Sequence, residues 1–271
     1  MSHDSAIKLV ALDIDGTLLD KGVDVDAMPD PDMVDAVRSL QASGIVVVLA
    51  SGRMYPGTAS VAHHLGIDEP LICQQGASVH EPDGSLRHGH AINQGVAHEL
   101  LGYARLHGWP LAWFDPVRYL VTEDCSEARF FADVSGVAME IDPNPHLSGV
   151  QATGIDIIST REEASQVHAE IERRYATRLC LLDFPSVTAV HAIAVSKGNA
   201  LRELAGELGV AQDQVLAVGD SVNDVSMLRW AGHSAAPAHC DAHAATAAKE
   251  ILAGDGVSGV VEKLAKVAAG G

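Results

Sequence analysis

Basic residues are scarce in this sequence. Its 271 residues include 18 Lys and Arg against 36 Asp and Glu, which gives a formal net charge of −18 with His neutral. Binding to a nucleic-acid backbone or to an anionic membrane needs clustered cations, and a negative surface repels both. We therefore expect no nucleic-acid partner and no membrane partner.

Long apolar runs and closely spaced cysteines are also lacking. No apolar run approaches the roughly 20 residues of a membrane span, and the start Met1–Asp4 lacks the basic and apolar segments of a signal peptide. The four cysteines lie more than 50 residues apart, which excludes the spacing of a zinc ribbon or a small disulfide scaffold. We expect a cytoplasmic protein with reduced cysteines.

Apolar residues are plentiful by contrast, at 47% of the chain, and they recur in short runs. Residues 7–12 and 45–50 are expected to be buried strands, and the segment between them has a helix start at Asp30 and Pro31. A helix over 198–208 and a strand over 215–218 repeat this order. Strands that alternate with helices favour a parallel sheet, so we predict an α/β fold with a doubly wound, Rossmann-like core.

The middle of the chain has a different pattern. It contains a predicted hairpin with its turn at residues 81–84, and closely spaced strands around single helices further on. This pattern is typical of α+β structure. We predict a catalytic core formed by residues 1–80 and 189–271, and an inserted, smaller α+β cap domain over 81–188.

The densest group of reactive side chains follows the first predicted strand, in the segment Asp13-Ile14-Asp15-Gly16-Thr17. Ligands of open α/β sheets bind beyond the carboxyl ends of the strands, so both carboxylates are expected in the site. One of them can attack phosphorus while the other protonates the leaving oxygen and later activates water. Asp is also common in turns, so this pair alone leaves a purely structural role open.

Three further segments favour the catalytic interpretation. Ser51-Gly52-Arg53 follows the second strand and offers a hydroxyl and a planar cation to phosphate oxygens. Lys197 precedes a helix and can neutralise a phosphoryl group. The segment Gly219-Asp220-Ser221-Val222-Asn223-Asp224 supplies oxygens that suit a hard divalent cation such as Mg²⁺.

These four segments, in this order, resemble the motifs of haloacid dehalogenase (HAD) superfamily phosphatases. The resemblance is to the Cof-like subclass IIB, whose large cap is inserted between the second and third motifs. It covers essentially the whole chain. An ordered set of four motifs is far more specific than any single short match.

The resemblance implies a role for each motif residue. Asp13 is expected to form a phosphoaspartate, Asp15 to act as general acid and then base, Ser51 to bind the phosphoryl group and Lys197 to neutralise charge on it. The expected phosphate-binding residues are Gly16, Thr17, Gly52, Arg53, Gln75 and Gly76. The expected Mg²⁺ site comprises the side chains of Asp13 and Asp220 and the backbone carbonyl of Asp15, with Asn223 and Asp224 as direct or outer partners.

Two positions depart from the subclass pattern. Gln75-Gly76-Ala77 stands where the subclass usually has Asn-Gly-Ala, so the role of the amide is open. The strand before Lys197 commonly carries an acidic residue, whereas here His191 is its only ionisable residue. The second departure indicates altered recognition of the leaving group.

We therefore predict a Mg²⁺-dependent phosphatase that hydrolyses small phosphomonoesters, with sugar phosphates as the leading substrate class. A phosphomutase of phosphosugars and, more remotely, a receiver-like phosphoaspartate switch are the alternatives. The expected partner is a small phosphorylated metabolite. The chain is expected to be a monomer or a homodimer.

Overall fold

The computed structural model describes residues 6–270. The start Met1–Asp4, on which the expected lack of a signal peptide rests, lies outside the described residues. Within residues 6–270, no helix is long and apolar enough to cross a membrane.

The strands of the described chain are β1 (Leu9–Leu12), β2 (Val46–Leu49), β3 (Leu71–Cys73), β4 (Ser78–His80), β5 (Leu86–Gly89), β6 (Leu111–Phe114), β7 (Tyr119–Val121), β8 (Met139–Ile141), β9 (Gly154–Ile158), β10 (Leu179–Phe184), β11 (Val187–Ala192), β12 (Val215–Val218), β13 (His233–Ala236) and β14 (Glu250–Ile251). The α-helices are α1 (Pro31–Ala42), α2 (Tyr55–Leu65), α3 (Gln94–His107), α4 (Ser126–Ser135), α5 (Ala164–Tyr175), α6 (Lys197–Glu207), α7 (Val225–Trp230), α8 (Ala242–Ala247) and α9 (Ser258–Ala268).

A parallel sheet forms the centre of the molecule, with the strand order β14-β13-β12-β1-β2. The β1 residues are buried on both faces. One face packs against α1, α2 and α9, and the other packs against α6, α7 and α8. Apolar residues on both faces of short strands require this double cover, so the predicted doubly wound α/β fold is confirmed.

Local sequence signals account for the helix that joins β1 to β2. Asp30 caps α1, since its carboxylate accepts a hydrogen bond of 2.9 Å from the Met33 amide, and Pro31 occupies the first turn. Sequence analysis did not identify α2, α4 and α7. Pro56, at the start of α2, was an available signal for the first of them.

Two further sheets use the segment between β2 and β12. The six-stranded sheet has the order β10-β11-β9-β6-β7-β8 and is antiparallel apart from the β7–β8 pair. Helices α3 and α5 cover one of its faces. The other small sheet, β3-β4-β5, contains the expected hairpin around residues 81–84. The domain ranges stay a prediction, and β11 extends four residues beyond the predicted boundary at residue 188.

Candidate active site

The carboxyl ends of three neighbouring strands bring the sequence-predicted acids together. Strand β1 lies between β2 and β12 in parallel register, so Asp13, Ser51 and Asp220 follow these strands at the same edge. The Asp13 amide donates a hydrogen bond of 3.0 Å to the Val218 carbonyl, which continues the pairing of β1 with β12. All three side chains are buried.

Lys197 links two of the carboxylates of this edge. The Ser196 hydroxyl accepts a hydrogen bond of 3.1 Å from the Asn199 amide and caps α6, so Lys197 lies in the first turn of the helix. Its Nζ atom is 2.5 Å from Asp13 Oδ1 and 2.7 Å from Asp224 Oδ1. The Lys197 side chain is fully buried, and its charge therefore acts at short range and low dielectric.

The two acids of the last motif have different surroundings. Asp224 Oδ2 accepts hydrogen bonds from the amides of Asp220 and Ser221, at 2.9 and 3.0 Å, while its Oδ1 faces Lys197. Asp220 Oδ1 is buried and accepts no hydrogen bond from residues 6–270, and Oδ2 meets the amine of Lys21 at 2.7 Å. Asp224 is therefore held by the protein, and Asp220 keeps oxygens for another cation.

Burial and the neighbouring charges shift the pKa values of the residues in this cluster. Burial raises the pKa of the Asp13 carboxyl well above its ordinary value, the negative charge of Asp224 adds to the increase, and Lys197 opposes it. Burial also raises the pKa of Asp220. Burial lowers the pKa of Lys197, but Asp13 and Asp224 outweigh it and the net shift is upward. The site thus holds a permanent ammonium between carboxylates that need positive charge.

The arrangement of oxygens fits a divalent cation. Single carboxylate oxygens of Asp13, Asp220 and Asp224 lie within 4.8 Å of one another. An unpartnered buried carboxylate oxygen, such as Asp220 Oδ1, is costly unless a cation neutralises it. Gly16 borders the same place with a φ of +88°, and a Cβ there would lie 2.5 Å from Asp220 Oδ2, so only glycine fits.

Arg53 forms an ion pair with Asp15. Its Nε atom donates to Asp15 Oδ2 at 2.9 Å and its terminal nitrogen donates to Oδ1 at 2.5 Å, which is a bidentate pair. The Arg53 side chain is only 7% exposed, whereas that of Asp15 is 56% exposed. The Asp15 carboxylate is therefore oriented by a buried guanidinium and still faces the solvent side of the site.

The remaining predicted residues surround this cluster. The Asn223 amide donates a hydrogen bond of 3.0 Å to Gln75 Oε1, so the amide at the position that departs from the subclass does reach the last motif. Thr17 Oγ1 is buried without a partner among the described residues. Ser51 Oγ accepts a hydrogen bond of 3.1 Å from the Arg53 amide. Gly52 and Gly76 lie in the loops after β2 and β3.

Sequence reasoning missed three residues that shape the site. These are Lys21, whose amine meets Asp220, His239, whose Nε2 is 2.8 Å from the Gly16 carbonyl oxygen, and Asp241, whose Oδ2 accepts from the amide of Val222 at 2.8 Å. Asp241 also caps α8. Its position before an Ala-rich helix is a cap signal, but nothing in the sequence indicates that it supports a neighbouring loop.

Comparisons with known proteins identify the family of this chain. A family model described as haloacid dehalogenase-like hydrolase matches residues 10–264. The chain is 30% identical to a phosphoglycolate phosphatase of Halorubrum lacusprofundi over 266 residues. The aligned region covers 94% of this chain and 96% of that protein. The chain is 27% identical to phosphatase YwpJ of Bacillus subtilis, over 85% of the chain and 89% of that protein.

The fold is also similar to solved structures. A haloacid dehalogenase-like hydrolase from B. subtilis superposes with a TM-score of 0.81 at 24% identity, over 95% of this chain and 99% of that one. A Cof-like hydrolase from Plasmodium vivax gives a TM-score of 0.84 at 24% identity, over 96% and 95% of the two chains. At this identity, the similarity shows a shared fold.

Proposed function

The chain belongs to the haloacid dehalogenase-like hydrolases, and from its active-site geometry we propose that it hydrolyses small phosphomonoesters through a phosphoaspartate on Asp13. The contact between Lys197 and Asp13 carries the proposal. Lys197 binds one oxygen of Asp13, while Oδ2 forms no hydrogen bond with the described residues and remains available for attack. Sugar phosphates are the leading substrate class, and the phosphatase names of the relatives support the reaction type.

The first half of the reaction forms the Asp13–phosphorus bond and breaks the bond from phosphorus to the ester oxygen. Lys197 neutralises negative charge on Asp13 and on the transferred phosphoryl group, and the Ser51 hydroxyl and nearby backbone amides bind its oxygens. Asp15 donates a proton to the departing oxygen, so the alcohol leaves neutral. The bidentate contact with Arg53 holds Asp15 as a carboxylate, so Asp15 carries the proton for this step only when that contact is released.

The second half returns the enzyme to its starting state. Asp15, now ionised, takes a proton from water, and the water oxygen attacks phosphorus as the Asp13–phosphorus bond breaks. The products are one alcohol and one inorganic phosphate for each ester and water consumed. The same carboxyl thus serves as acid and then as base, which requires that it stay accessible, as the exposure of Asp15 allows.

We propose that Mg²⁺ binds to the carboxylates of Asp13 and Asp220 and to the backbone carbonyl of Asp15. When bound, the metal would neutralise the negative charge that the acids and the substrate bring together. Asp224 has both carboxylate oxygens engaged by Lys197 and backbone amides, so it orients Lys197 and the loop. Asn223 keeps a buried Oδ1 that has no hydrogen-bond partner among residues 6–270 and that would be available to the metal site.

The test is phosphate release from p-nitrophenyl phosphate by the wild type, Asp13→Asn and Asp15→Asn. We expect Asp13→Asn to lose at least about 10⁴-fold in kcat, because the nucleophile is gone. Asp15→Asn is expected to slow turnover and accumulate phosphoenzyme, which acid-quench labelling detects. Chelation of divalent cations should stop release and Mg²⁺ should restore it, without a sugar bisphosphate activator. Full activity in Asp13→Asn would refute the mechanism.

A further inference from the structure

The six-stranded sheet has one face that helices α3 and α5 do not cover, and helix α4 with Met54 covers the part of it formed by β6 and β7. The register of its central strands places alternate residues on this side, which we call the inner face and define by Ala112, Phe114, Gly154, Asp156, Ala189 and His191. Their neighbours in the strands, such as Ile155 and Ile157, point the other way and pack with α3 and α5. Most of the inner face is apolar, and Asp156 is its one acid among these six residues.

Asp156 is a buried carboxylate without a partner. It is 6% exposed and forms no hydrogen bond or ion pair with residues 6–270. Burial raises its pKa to about 7, and no neighbouring positive charge opposes the shift. Its cross-strand neighbours are Ala112 and Ala189, which carry only methyl side chains.

His191 adds a second acceptor to the inner face. Its Nδ1 is 3.0 Å from the Thr153 carbonyl oxygen, and a carbonyl can only accept, so Nδ1 carries the proton and Nε2 keeps a lone pair. Burial lowers the pKa of His191 to about 4, which leaves the ring neutral at pH 7. At Gly154, between His191 and Phe114 in register, a Cβ would lie 2.3 Å from the Phe114 ring.

The inner face is next to the catalytic loops. The side-chain amide of Gln74 donates a hydrogen bond of 2.8 Å to the Asp115 carbonyl and accepts one of 2.9 Å from the Thr153 hydroxyl. These contacts connect the loop of Gln75 to the ends of β6 and β9. Met54, which follows Arg53, packs against inner-face residues. Strand β10, at the edge of the same sheet, contacts residues 222–224 of the last motif.

We propose that the inner face binds the leaving group and that Asp156 selects a leaving group with a basic nitrogen, such as the ammonium of an amino sugar phosphate. The inference rests on the proposed phosphatase function and names its substrate class. Two buried acceptors and one negative charge without a counter-cation are complementary to a cationic donor. A neutral polyol of the same shape would leave the charge of Asp156 uncompensated, which is costly in a buried site.

The experiment compares glucosamine 6-phosphate with glucose 6-phosphate, two esters that differ by an ammonium in place of one hydroxyl. For the wild type we expect kcat/KM to favour the amine by about 10-fold or more, mainly through a lower KM. Asp156→Asn keeps the shape of the side chain and removes its charge, so the ratio of the two kcat/KM values should fall close to one.

Asp183→Asn is the matched control. Asp183 lies on β10 in register with Thr188, which places it on the opposite face of the same sheet from Asp156 and Ala189. This variant should keep both the preference and the rate with p-nitrophenyl phosphate. A wild type that hydrolyses both sugar phosphates equally well would refute the inference even if Asp156→Asn failed to fold, and so would a preference that survives in Asp156→Asn.

The two proposals fail in different ways. If the wild type releases no phosphate from p-nitrophenyl phosphate with Mg²⁺ present, the phosphatase function is wrong, and the inference falls with it. If p-nitrophenyl phosphate is hydrolysed and the amine has no advantage, the inference alone is wrong.

Discussion

The molecule buries negative charge in two places and treats it differently. At the carboxyl edge of the parallel sheet, Asp13 and Asp224 share the buried Lys197 amine, and backbone amides hold Asp224 as well. On the inner face of the six-stranded sheet, Asp156 has no ion-pair partner among the described residues, and burial alone raises its pKa. Under our proposals, the first place is the reaction site, where the chain itself supplies a cation, and the second is the recognition surface, where the substrate would supply one.

The largest expected effect comes from breaking the paired site. Lys197→Met leaves the Asp13 and Asp224 carboxylates buried without their cation, and removal of one partner of a buried ion pair costs about 3–5 kcal/mol of unfolding free energy. We also expect kcat to fall by about 10³-fold, because charge on the phosphoryl group is no longer neutralised. Urea unfolding and phosphate release measure the two effects.

Lys21→Met is the matched control for that variant. Lys21 also binds a buried acid of the site, Asp220, but its own side chain is 51% exposed. Such a half-exposed pair contributes about 1 kcal/mol or less to stability. Equal losses of stability in the two variants would contradict the distinction between the buried cation Lys197 and the half-exposed cation Lys21.

Replacement of the unpartnered acid Asp156 should raise the free energy of unfolding, whereas Lys197→Met lowers it. In the unfolded chain Asp156 ionises near its ordinary pKa of 3.8, but in the folded chain only near pH 7. Between these values the folded state binds more protons, so the free energy of unfolding falls as pH rises, and the penalty is complete above pH 7. Asp156→Asn should therefore stabilise the protein by about 2–4 kcal/mol at pH 8 and by little at pH 4.

Thermal unfolding of Asp156→Asn and the wild type at pH 8 and pH 4 measures this difference. The control is Asp183→Asn, since Asp183 is 46% exposed and its replacement should change stability little at either pH. If Asp156→Asn were less stable than the wild type at pH 8, Asp156 would have a stabilising partner in the protein. The contrast between the two regions would then be lost.

The sequence predicted for a physical reason that the proposed catalytic residues lie close together. Asp13, Ser51 and Asp220 follow buried strands, and parallel neighbours end at the same edge, so their order along the chain predicts their meeting. The division of labour between Asp220 and Asp224 was not predictable. It depends on which backbone amides of the loop point at which carboxylate, and that is decided only when the loop is closed.

Arg53 and Asp156 show two further limits of prediction from the sequence. Arg53 forms an ion pair with Asp15 that its position after β2 did not predict, and its expected role in phosphate binding stays a prediction. Asp156 had a signal that sequence reasoning did not use. A single acid within the otherwise apolar strand β9 must be buried, and a buried acid needs either a partner or a ligand.

The smallest expected effect concerns the amide that faces the last motif. Gln75 has a φ of +61°, in the left-handed region that asparagine tolerates better than glutamine, and its Oε1 accepts the 3.0 Å hydrogen bond from Asn223. Gln75→Asn relieves part of the backbone cost, but its side chain is one methylene shorter and loses this contact. We expect a net loss of about 0.5–1 kcal/mol in urea unfolding.

Gln75→Ala separates the two contributions, because alanine loses the contact and gains nothing in the left-handed region. It should be less stable than Gln75→Asn, and Asn223→Ala should cost little more when Gln75 is already replaced, since the two residues share one hydrogen bond. Additive losses from positions 75 and 223 would mean that the amide is held by other contacts. Coupled losses would instead show that Gln75 and Asn223 bind each other, as Lys197 and its two acids do. Asp156 would then remain the contrasting case, a buried polar residue whose proposed partner is a ligand.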